Sequence, residues 1–221
     1  MNMNSDSQLF EVMKAKLYTG VICDTLDDLG YREQAMSEHV RPLQPDLVVV
    51  GRAKTILAAD VYHVHEHPYK LEIQALDSIK PGEVVVMCTN QSVNNGIWGE
   101  LLSTAAAMRG STGAIVDGLI RDTRKIKDMN FPVFCKGIKP VDSRGRGIVI
   151  DYDCPVVAGG IRVHPGDVVF ADCDGVAVIP SVVLEQTVEL AVGKVERENN
   201  SRKELLEGKL LQDVFDKYGV L

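Results

Sequence analysis

The stretch from Asn94 to Asp122 decides the fold, and it reads NNGIWGELLSTAAAMRGSTGAIVDGLIRD. It divides into a glycine-rich turn, a helix and a strand that ends in a charged loop. Residues 100–108 have helical spacing, with Leu101, Leu102 and Ala105 as the predicted apolar stripe. A turn, a helix and a strand in this order are typical of an α/β fold.

The candidate site residues lie at the end of this unit. Residues 114–116 are predicted as a short buried strand, and the Asp117-Gly118 pair is predicted to turn the chain into Arg121-Asp122. Free backbone N–H groups at the start of the helix suit an anion. A guanidinium can hold a carboxylate at two points, and an adjoining carboxylate can hold a hard metal. The unit therefore predicts a site for a small oxo-acid and a divalent cation.

The spacing of these residues resembles the signature of a known family. Gly99-Glu100 precedes Arg121-Asp122, with twenty residues between Glu100 and Arg121. This is similar to the acidic-X20-Arg-Asp signature of the metal-dependent 4-hydroxy-4-methyl-2-oxoglutarate aldolases, which are related to the regulator of ribonuclease activity A (the RraA-like family). The resemblance runs from about Leu17 to Gly208. The chain departs from the pattern at Glu100, where the characterised aldolases usually have aspartate.

The resemblance implies a fold and an assembly. We expect one α/β domain over residues 1–221, with a layered β/β/α core of the swivelling kind seen in phosphohistidine domains, and residues 1–7 are predicted to be disordered. Interleaved helices and short strands without an obvious linker also favour a single domain. The resemblance implies a homotrimer, or a homohexamer of two trimers, with sites between subunits. Glu196 and Glu198 of the last long helix could then reach a neighbour's site.

The resemblance also implies a reaction and a role for each site residue. A metal-dependent lyase of this family cleaves a 4-hydroxy-2-oxo acid to pyruvate by retro-aldol chemistry, and decarboxylation of oxaloacetate gives the same enolate. Arg121 would bind the substrate and stabilise the enolate, Asp122 would hold Mg²⁺ or Mn²⁺, and Glu100 would orient a metal-associated water as the proton shuttle. The substrate carboxylate would be held by backbone N–H groups, which belong to Gly99, Glu100, Leu101 and Leu102. The two leucine side chains would lie in the core. No Schiff-base lysine is required.

Each of these side chains also has a purely structural interpretation. Asp122 could be the N-cap acid of a helix that begins near Thr123. Arg121 could be a surface ion-pair partner, and Glu100 could be an ordinary first-turn acid. A rival function from the same resemblance is a regulator that binds a ribonuclease and does no chemistry. The regulator lacks the aspartate after its arginine, so Asp122 favours an enzyme.

Three further polar clusters occur in the sequence. His63, His65 and His67 would share one face of a strand and could bind Zn²⁺, but Pro68 favours a loop. Aspartates 172 and 174 lie at a hairpin turn, where aspartate is a common turn residue. Asp142 and the arginines that follow it are predicted to form a solvated loop.

Composition narrows the classes of partner. The net charge is −7, and without a Lys/Arg block it argues against nucleic acid. The N-terminus lacks the pattern of a signal peptide, and no apolar run could cross a membrane, so we expect a cytoplasmic protein. The five cysteines form no C-x-x-C pair, as expected for thiols in a reducing compartment. They are Cys23, Cys88, Cys135, Cys154 and Cys173.

Hydrophobic periodicity and turn residues predict the remaining elements. Helices are predicted at 9–17, 21–29 with Thr19 as N-cap, 69–79, 123–129, 181–198 and 202–206, and strands at 47–58, 83–87, 132–135, 148–150, 156–157, 168–171 and 176–179.

Overall fold

A nine-stranded mixed sheet forms the centre of the computed structural model, which describes residues 3–220. The strands in chain order are β1 (Arg41–Pro42), β2 (Val49–Asp60), β3 (Glu83–Cys88), β4 (Gly96–Trp98), β5 (Gly113–Ile120), β6 (Val133–Ile138), β7 (Gly147–Tyr152), β8 (Val156–Ala158), β9 (Ile161–Val163), β10 (Val168–Asp172) and β11 (Gly175–Ile179). The sheet runs β1-β6-β5-β3-β2-β10-β11, while β8 and β9 form a separate hairpin.

The central strands of the sheet are parallel, and near their carboxyl ends they pair with two further strands, β4 and β7. Strands β2, β3, β5 and β6 are parallel neighbours. Beyond the end of β3, β4 pairs with the last residues of β5, and β7 pairs with the second half of β2. Ligands of parallel α/β sheets bind outside the carboxyl ends of the strands. The charged residues after β5 lie at such an edge.

Helices cover the sheet, and three apolar clusters join the layers. The helices are α1 (Met3–Lys16), α2 (Thr19–Asp28), α3 (Lys70–Asp77), α4 (Glu100–Met108), α5 (Thr123–Asp128), a 3-10 turn (Ser181–Val183), α6 (Leu184–Leu206) and α7 (Leu211–Tyr218). One cluster packs α3, α4 and α5 against the parallel strands. A second places the β8-β9 hairpin on the other side of these strands, and a third joins α1, α2 and α6 to β10 and β11.

This arrangement confirms a single mixed α/β domain, and the predicted likeness to phosphohistidine domains stays a prediction. Of the helices in the described range, none is long and apolar enough for a transmembrane span. All five cysteines are free thiols.

The predicted apolar stripe of α4 is wrong, although the helix has the predicted bounds. Leu101 is 74% exposed, Ala105 is exposed, and Leu102 is only partly buried against the core. Ser103 and Ala106 face inward instead. The buried Ser103 hydroxyl accepts the indole N–H of Trp98 at 2.8 Å and donates to the Gly99 carbonyl at 3.0 Å. These two bonds fix the rotation of the helix, because a buried indole N–H needs an acceptor.

The predicted turn at Asp117-Gly118 is also wrong, because β5 continues to Ile120. Asp117 is buried in the strand and forms an ion pair with Lys136 of β6. A Cβ on Gly118 would lie 2.6 Å from the Thr89 side chain. The glycine therefore permits close packing inside a strand, and the chain turns only after Ile120.

The structure also differs from the predictions for residues 3–7, for Thr19 and for the last long helix. Residues 3–7, predicted to be disordered, belong to α1, where Asp6 pairs with Arg52 at 2.7 Å; residues 1 and 2 lie outside the described residues. Thr19 lies inside α2 and binds the Asp172 carboxylate through its backbone N–H at 2.8 Å, so it is not the N-cap. Helix α6 unites the two helices predicted at 181–198 and 202–206. Its Glu198 accepts a hydrogen bond from Tyr18.

The hydrophobic pattern of the sequence did not predict three short elements. Strands β1 and β9 have two and three residues, and α7 was part of a predicted tail. Strands of two or three residues contain too few positions to show a period.

Candidate active site

Arg121 and Asp122 lie where the chain leaves β5 and enters α5. The Arg121 N–H donates to the Trp98 carbonyl at 2.8 Å, which ties this turn to the end of β4. Asp122 has φ 57° and ψ 29°, in the left-handed region. Asparagine and aspartate adopt this region more readily than most residues. The turn therefore has a specific backbone requirement that aspartate meets.

Asp122 occupies the N-cap position of α5, but its side chain makes no cap hydrogen bond there. Its Oδ2 points towards the start of α4 instead, 3.4 Å from the backbone nitrogen of Glu100. The same oxygen lies 3.6 Å from Nε of Arg121, and 43% of the side chain is exposed. The structural interpretation as a helix cap thus does not explain where this carboxylate points.

Gly99 is the residue that lets the two segments meet. A Cβ at this position would lie 2.7 Å from Oδ2 of Asp122 and 3.2 Å from Nε of Arg121. The backbone of Gly99 is extended, with φ −143° and ψ −170°, so its conformation does not require glycine. Glycine is required here because the side chains of Asp122 and Arg121 approach so closely.

The first turn of α4 presents backbone donors beside this carboxylate. The first N–H groups of a helix have no acceptor within the helix. Those of Leu101 and Leu102 start α4, next to the Glu100 N–H that faces Asp122. The predicted backbone role of residues 99–102 is thus compatible with their placement. Leu101 keeps its side chain outside the core, against expectation.

Glu100 faces α5 with its carboxylate. It accepts a hydrogen bond from the Thr104 hydroxyl at 3.0 Å, and its other oxygen lies 4.0 Å from the ammonium of Lys125. The side chain keeps 24% of its surface exposed. Glu100 therefore retains access to water while one oxygen is fixed by its own helix.

Arg121 has a second carboxylate partner, which the sequence analysis placed in a solvated loop. Its Nη2 lies 3.2 Å from Oδ1 of Asp142, in the connection between β6 and β7. The other oxygen of Asp142 accepts a hydrogen bond from the Tyr69 hydroxyl and one from the Arg144 N–H at 3.2 Å. This chain of contacts holds the guanidinium through a second carboxylate besides Asp122.

These contacts perturb the titration of both partners. Burial would raise the pKa of Asp142, but the Tyr69 hydrogen bond, the backbone N–H groups and the Arg121 charge lower it overall. The hydrogen bond to Asp142, followed by burial, raises the pKa of Tyr69 to about 12. Asp142 is thus an anion and Tyr69 a neutral donor at neutral pH.

Glu72 of α3 is a further buried acid that the sequence analysis did not single out. The residue is 7% exposed, and burial is the main reason that its pKa rises to about 7. The charge of Asp142 raises the pKa further, while that of Arg121 lowers it. The sequence offered a weak signal, since an acid lies on the inward face of an amphipathic helix between Leu71 and Ala75.

The other two polar clusters lie in other segments of the chain. The three histidines lie in the predicted loop between β2 and α3, and the rings of His63 and His65 are 4.3 Å apart. Within residues 3–220, the one group of three or more potential metal ligands found close together is Asp172, Cys173 and Asp174. Asp172 is already bound to Thr19 and to the Asp174 N–H at the hairpin.

The chain is similar to known proteins over most of its length. It is 32% identical over 176 residues to a protein of Halalkalibacterium halodurans named "Putative 4-hydroxy-4-methyl-2-oxoglutarate aldolase", covering 80% of this chain and 79% of that one. It is 28% identical over 200 residues to protein DlpA of Legionella pneumophila, covering 89% of this chain. The chain spans only 32% of the length of the Legionella protein.

Solved structures share the fold. The crystal structure of RraAS2 from Streptomyces coelicolor, described as an unusual member of the RNase ES inhibitor RraA protein family, superposes with a TM-score of 0.81 at 28% identity. The match covers 89% of this chain and 98% of the other. The family model described as RraA-like, Aldolase/RraA, matches residues 19–178. The chain therefore belongs to the RraA-like family of aldolases and RraA proteins.

Proposed function

We propose that this protein is a divalent-metal-dependent lyase that cleaves a 4-hydroxy-2-oxo acid, such as 4-hydroxy-4-methyl-2-oxoglutarate, to pyruvate, and that also decarboxylates oxaloacetate. One observation carries the proposal: the Asp122 carboxylate, the Arg121 guanidinium and the N-terminus of α4 converge around Gly99. The relatives named as aldolases support the same class of reaction.

The residues present fit a hard divalent cation. Asp122 offers an exposed carboxylate oxygen that no lysine occupies, in a space that a Cβ at Gly99 would fill. Mg²⁺ and Mn²⁺ are commonly held by one or two carboxylates together with water and substrate oxygens. Asp122 and Asp142 also share a single guanidinium, so a cation at Asp122 would offset their excess negative charge. When bound, it would supply Lewis-acid polarisation of the substrate's 2-oxo and carboxylate oxygens.

The chain's own residues account for the remaining steps. The first-turn N–H groups of α4 and the Arg121 guanidinium bind the substrate carboxylate. The 4-hydroxyl gives its proton to a water held by Glu100, the C3–C4 bond breaks to leave a carbonyl at C4, and the electron pair of that bond forms the C2=C3 bond of an enolate whose charge lies on the 2-oxo oxygen. Arg121 stabilises this developing charge. A water held by Glu100 carries the proton that C3 takes up to give pyruvate.

Decarboxylation of oxaloacetate follows the same route. The bond from C3 to the departing carboxylate breaks, carbon dioxide leaves, and the electron pair forms the same enolate. Arg121 and the first-turn N–H groups of α4 therefore serve both reactions. We also propose that the protein acts as a homotrimer or homohexamer, as the family resemblance implies.

A regulator of a ribonuclease is the second candidate, favoured by the likeness to the Streptomyces RNase ES inhibitor family member. Such a role needs a binding surface and no metal-dependent turnover. The Asp122 carboxylate and the glycine beside it would then have no chemical purpose. Turnover separates the two candidates.

We expect the purified protein to release pyruvate from oxaloacetate when Mg²⁺ or Mn²⁺ is supplied, because chelation of the 2-oxo acid is central to the mechanism. Exhaustive chelation and dialysis should abolish the release, and added cation should restore it. Coupled pyruvate detection measures both states. Activity that survives metal removal unchanged would refute the metal-dependent lyase.

Arg121→Lys should lower kcat for oxaloacetate by roughly a hundredfold, on the order of 3 kcal/mol, because lysine keeps the charge but loses the two-pronged planar donor. Steady-state kinetics at saturating metal measure this change. Arg124→Lys, on the exposed face of α5, is the matched control and should retain activity. If Arg121→Lys stays within about threefold of the parent, Arg121 is a surface ion-pair partner.

Gly99→Ala should lower kcat by roughly tenfold to a hundredfold, because the new methyl group displaces the carboxylate and guanidinium that define the site. The extended backbone of Gly99 accepts alanine, so circular dichroism and the thermal midpoint should change little. Gly193→Ala, on α6, is the matched control, because its Cβ would meet only the end of the Arg197 side chain at 3.8 Å. Full activity in Gly99→Ala would show that this close approach has no functional role.

A further inference from the structure

Arg121 and Asp122 are neighbours of opposite charge whose side chains stay apart. Nε of Arg121 lies 3.6 Å from Oδ2 of Asp122, which is longer than a hydrogen bond between nitrogen and oxygen, at about 2.7–3.2 Å. Both side chains are partly exposed, and Gly99 supplies no side chain that could separate them. A guanidinium and a carboxylate this close normally form a shorter, charge-assisted hydrogen bond. Another contact therefore holds the guanidinium back.

Asp142 makes that contact. Its Oδ1 forms an ion pair with Nη2 of Arg121 at 3.2 Å, which is closer than the approach of Asp122 to the same guanidinium. Nε and Nη2 thus face one carboxylate each. Nη1 forms no ion pair within residues 3–220, which leaves it available to a substrate carboxylate.

The turn that joins β6 to β7 fixes Asp142 in turn. Its second carboxylate oxygen accepts one hydrogen bond from the Tyr69 hydroxyl and another from the Arg144 N–H at 3.2 Å. Nη1 of Arg146 donates to the Asp142 carbonyl at 3.2 Å. The carbonyl of the buried Ser143 accepts the Arg146 N–H at 2.7 Å. A carboxylate anchored in this way holds its guanidinium partner in place.

Arg121 is the cation that can compete for Asp122. Lys125, the next lysine along α5, lies 4.0 Å from an oxygen of Glu100 instead. If Arg121 closed on Asp122, an incoming metal ion would first have to displace a charged hydrogen-bond donor from the carboxylate oxygen. Such a bond changes an equilibrium by roughly tenfold or more.

We propose that Asp142 is a positioning residue that keeps the Arg121 guanidinium off Asp122, so that Oδ2 of Asp122 stays free for a divalent cation. The inference rests on the proposed function, in which Asp122 holds that cation. Asp142 makes it possible for a metal ligand and a substrate-binding arginine to occupy successive positions of the chain without neutralising each other.

The test measures Mn²⁺ binding by isothermal titration calorimetry, without substrate, in the wild type, Asp142→Asn, Arg121→Gln and the double variant. We expect Asp142→Asn to bind Mn²⁺ roughly tenfold more weakly than the wild type, because Arg121 then pairs with Asp122. Arg121→Gln should bind Mn²⁺ at least as tightly as the wild type. In the Arg121→Gln background, Asp142→Asn should change the affinity by less than about threefold, because the competing guanidinium is absent.

This dependence on Arg121 separates positioning from simpler effects. The loss of one negative charge, or a disturbed turn, would weaken Mn²⁺ binding by the same factor whether residue 121 is arginine or glutamine. Asparagine keeps an oxygen that can accept the Tyr69 hydrogen bond, so Asp142→Asn should fold. Asp128→Asn, at the exposed end of α5, removes one negative charge as the matched control and should bind Mn²⁺ as the wild type does.

The outcomes distinguish a failure of this role from a failure of the proposed function. Equal Mn²⁺ affinity in the wild type and Asp142→Asn, or an equal weakening in both backgrounds, would overturn the role of Asp142 and leave the proposed function standing. A wild type that binds no Mn²⁺, or that binds it no more tightly than Asp122→Asn does, would overturn the metal site and the inference with it.

Discussion

The site depends on the close approach of Gly99 to the carboxylate of Asp122. A methyl group at Gly99 would reach within 2.7 Å of that carboxylate, so the start of α4 and the end of β5 can meet only without a side chain. The turn at Asp122 is left-handed, and the bond from the Arg121 N–H to Trp98 keeps it against β4. Three separate features of the backbone thus aim one carboxylate at one helix N-terminus.

Charge balance links this core of the site to α3. One guanidinium is shared between Asp122 and Asp142, and Tyr69 fixes the second of these. The overall charge of −7 would repel an anionic substrate, so attraction must be local. The proposed cation at Asp122 would keep Arg121 available to a carboxylate.

The sequence predicted the parts of the fold that have strong periodicity or clear turn residues. Helix α4 has the predicted bounds, and β2 and the hairpin of β10 and β11 lie where expected. The stripe of α4 was wrong because a buried hydrogen bond to Trp98, and not hydrophobicity, sets its rotation. The turn at Asp117-Gly118 was wrong because an ion pair to Lys136 and close packing on Thr89 keep both residues in a strand.

The candidate site could be predicted only where its residues are near one another in the chain. Arg121, Asp122 and Gly99 follow from a spacing that resembles a family signature. Asp142 comes from a distant segment that the sheet brings to Arg121, and nothing in its local sequence distinguishes it from a solvated acid. Its partnership with Arg121 is a consequence of topology, which periodicity does not encode.

The central claim is that Asp122 holds the cation. Titration with Mn²⁺, followed by the paramagnetic resonance signal of the free ion, measures this directly in the wild type, Asp122→Asn and Asp174→Asn. Asparagine accepts the left-handed turn, so Asp122→Asn should fold but lose a charged oxygen ligand. We expect at least tenfold weaker Mn²⁺ binding in Asp122→Asn and unchanged binding in Asp174→Asn. Unchanged Mn²⁺ affinity in Asp122→Asn would show that Asp122 does not hold the cation and would place the cation elsewhere.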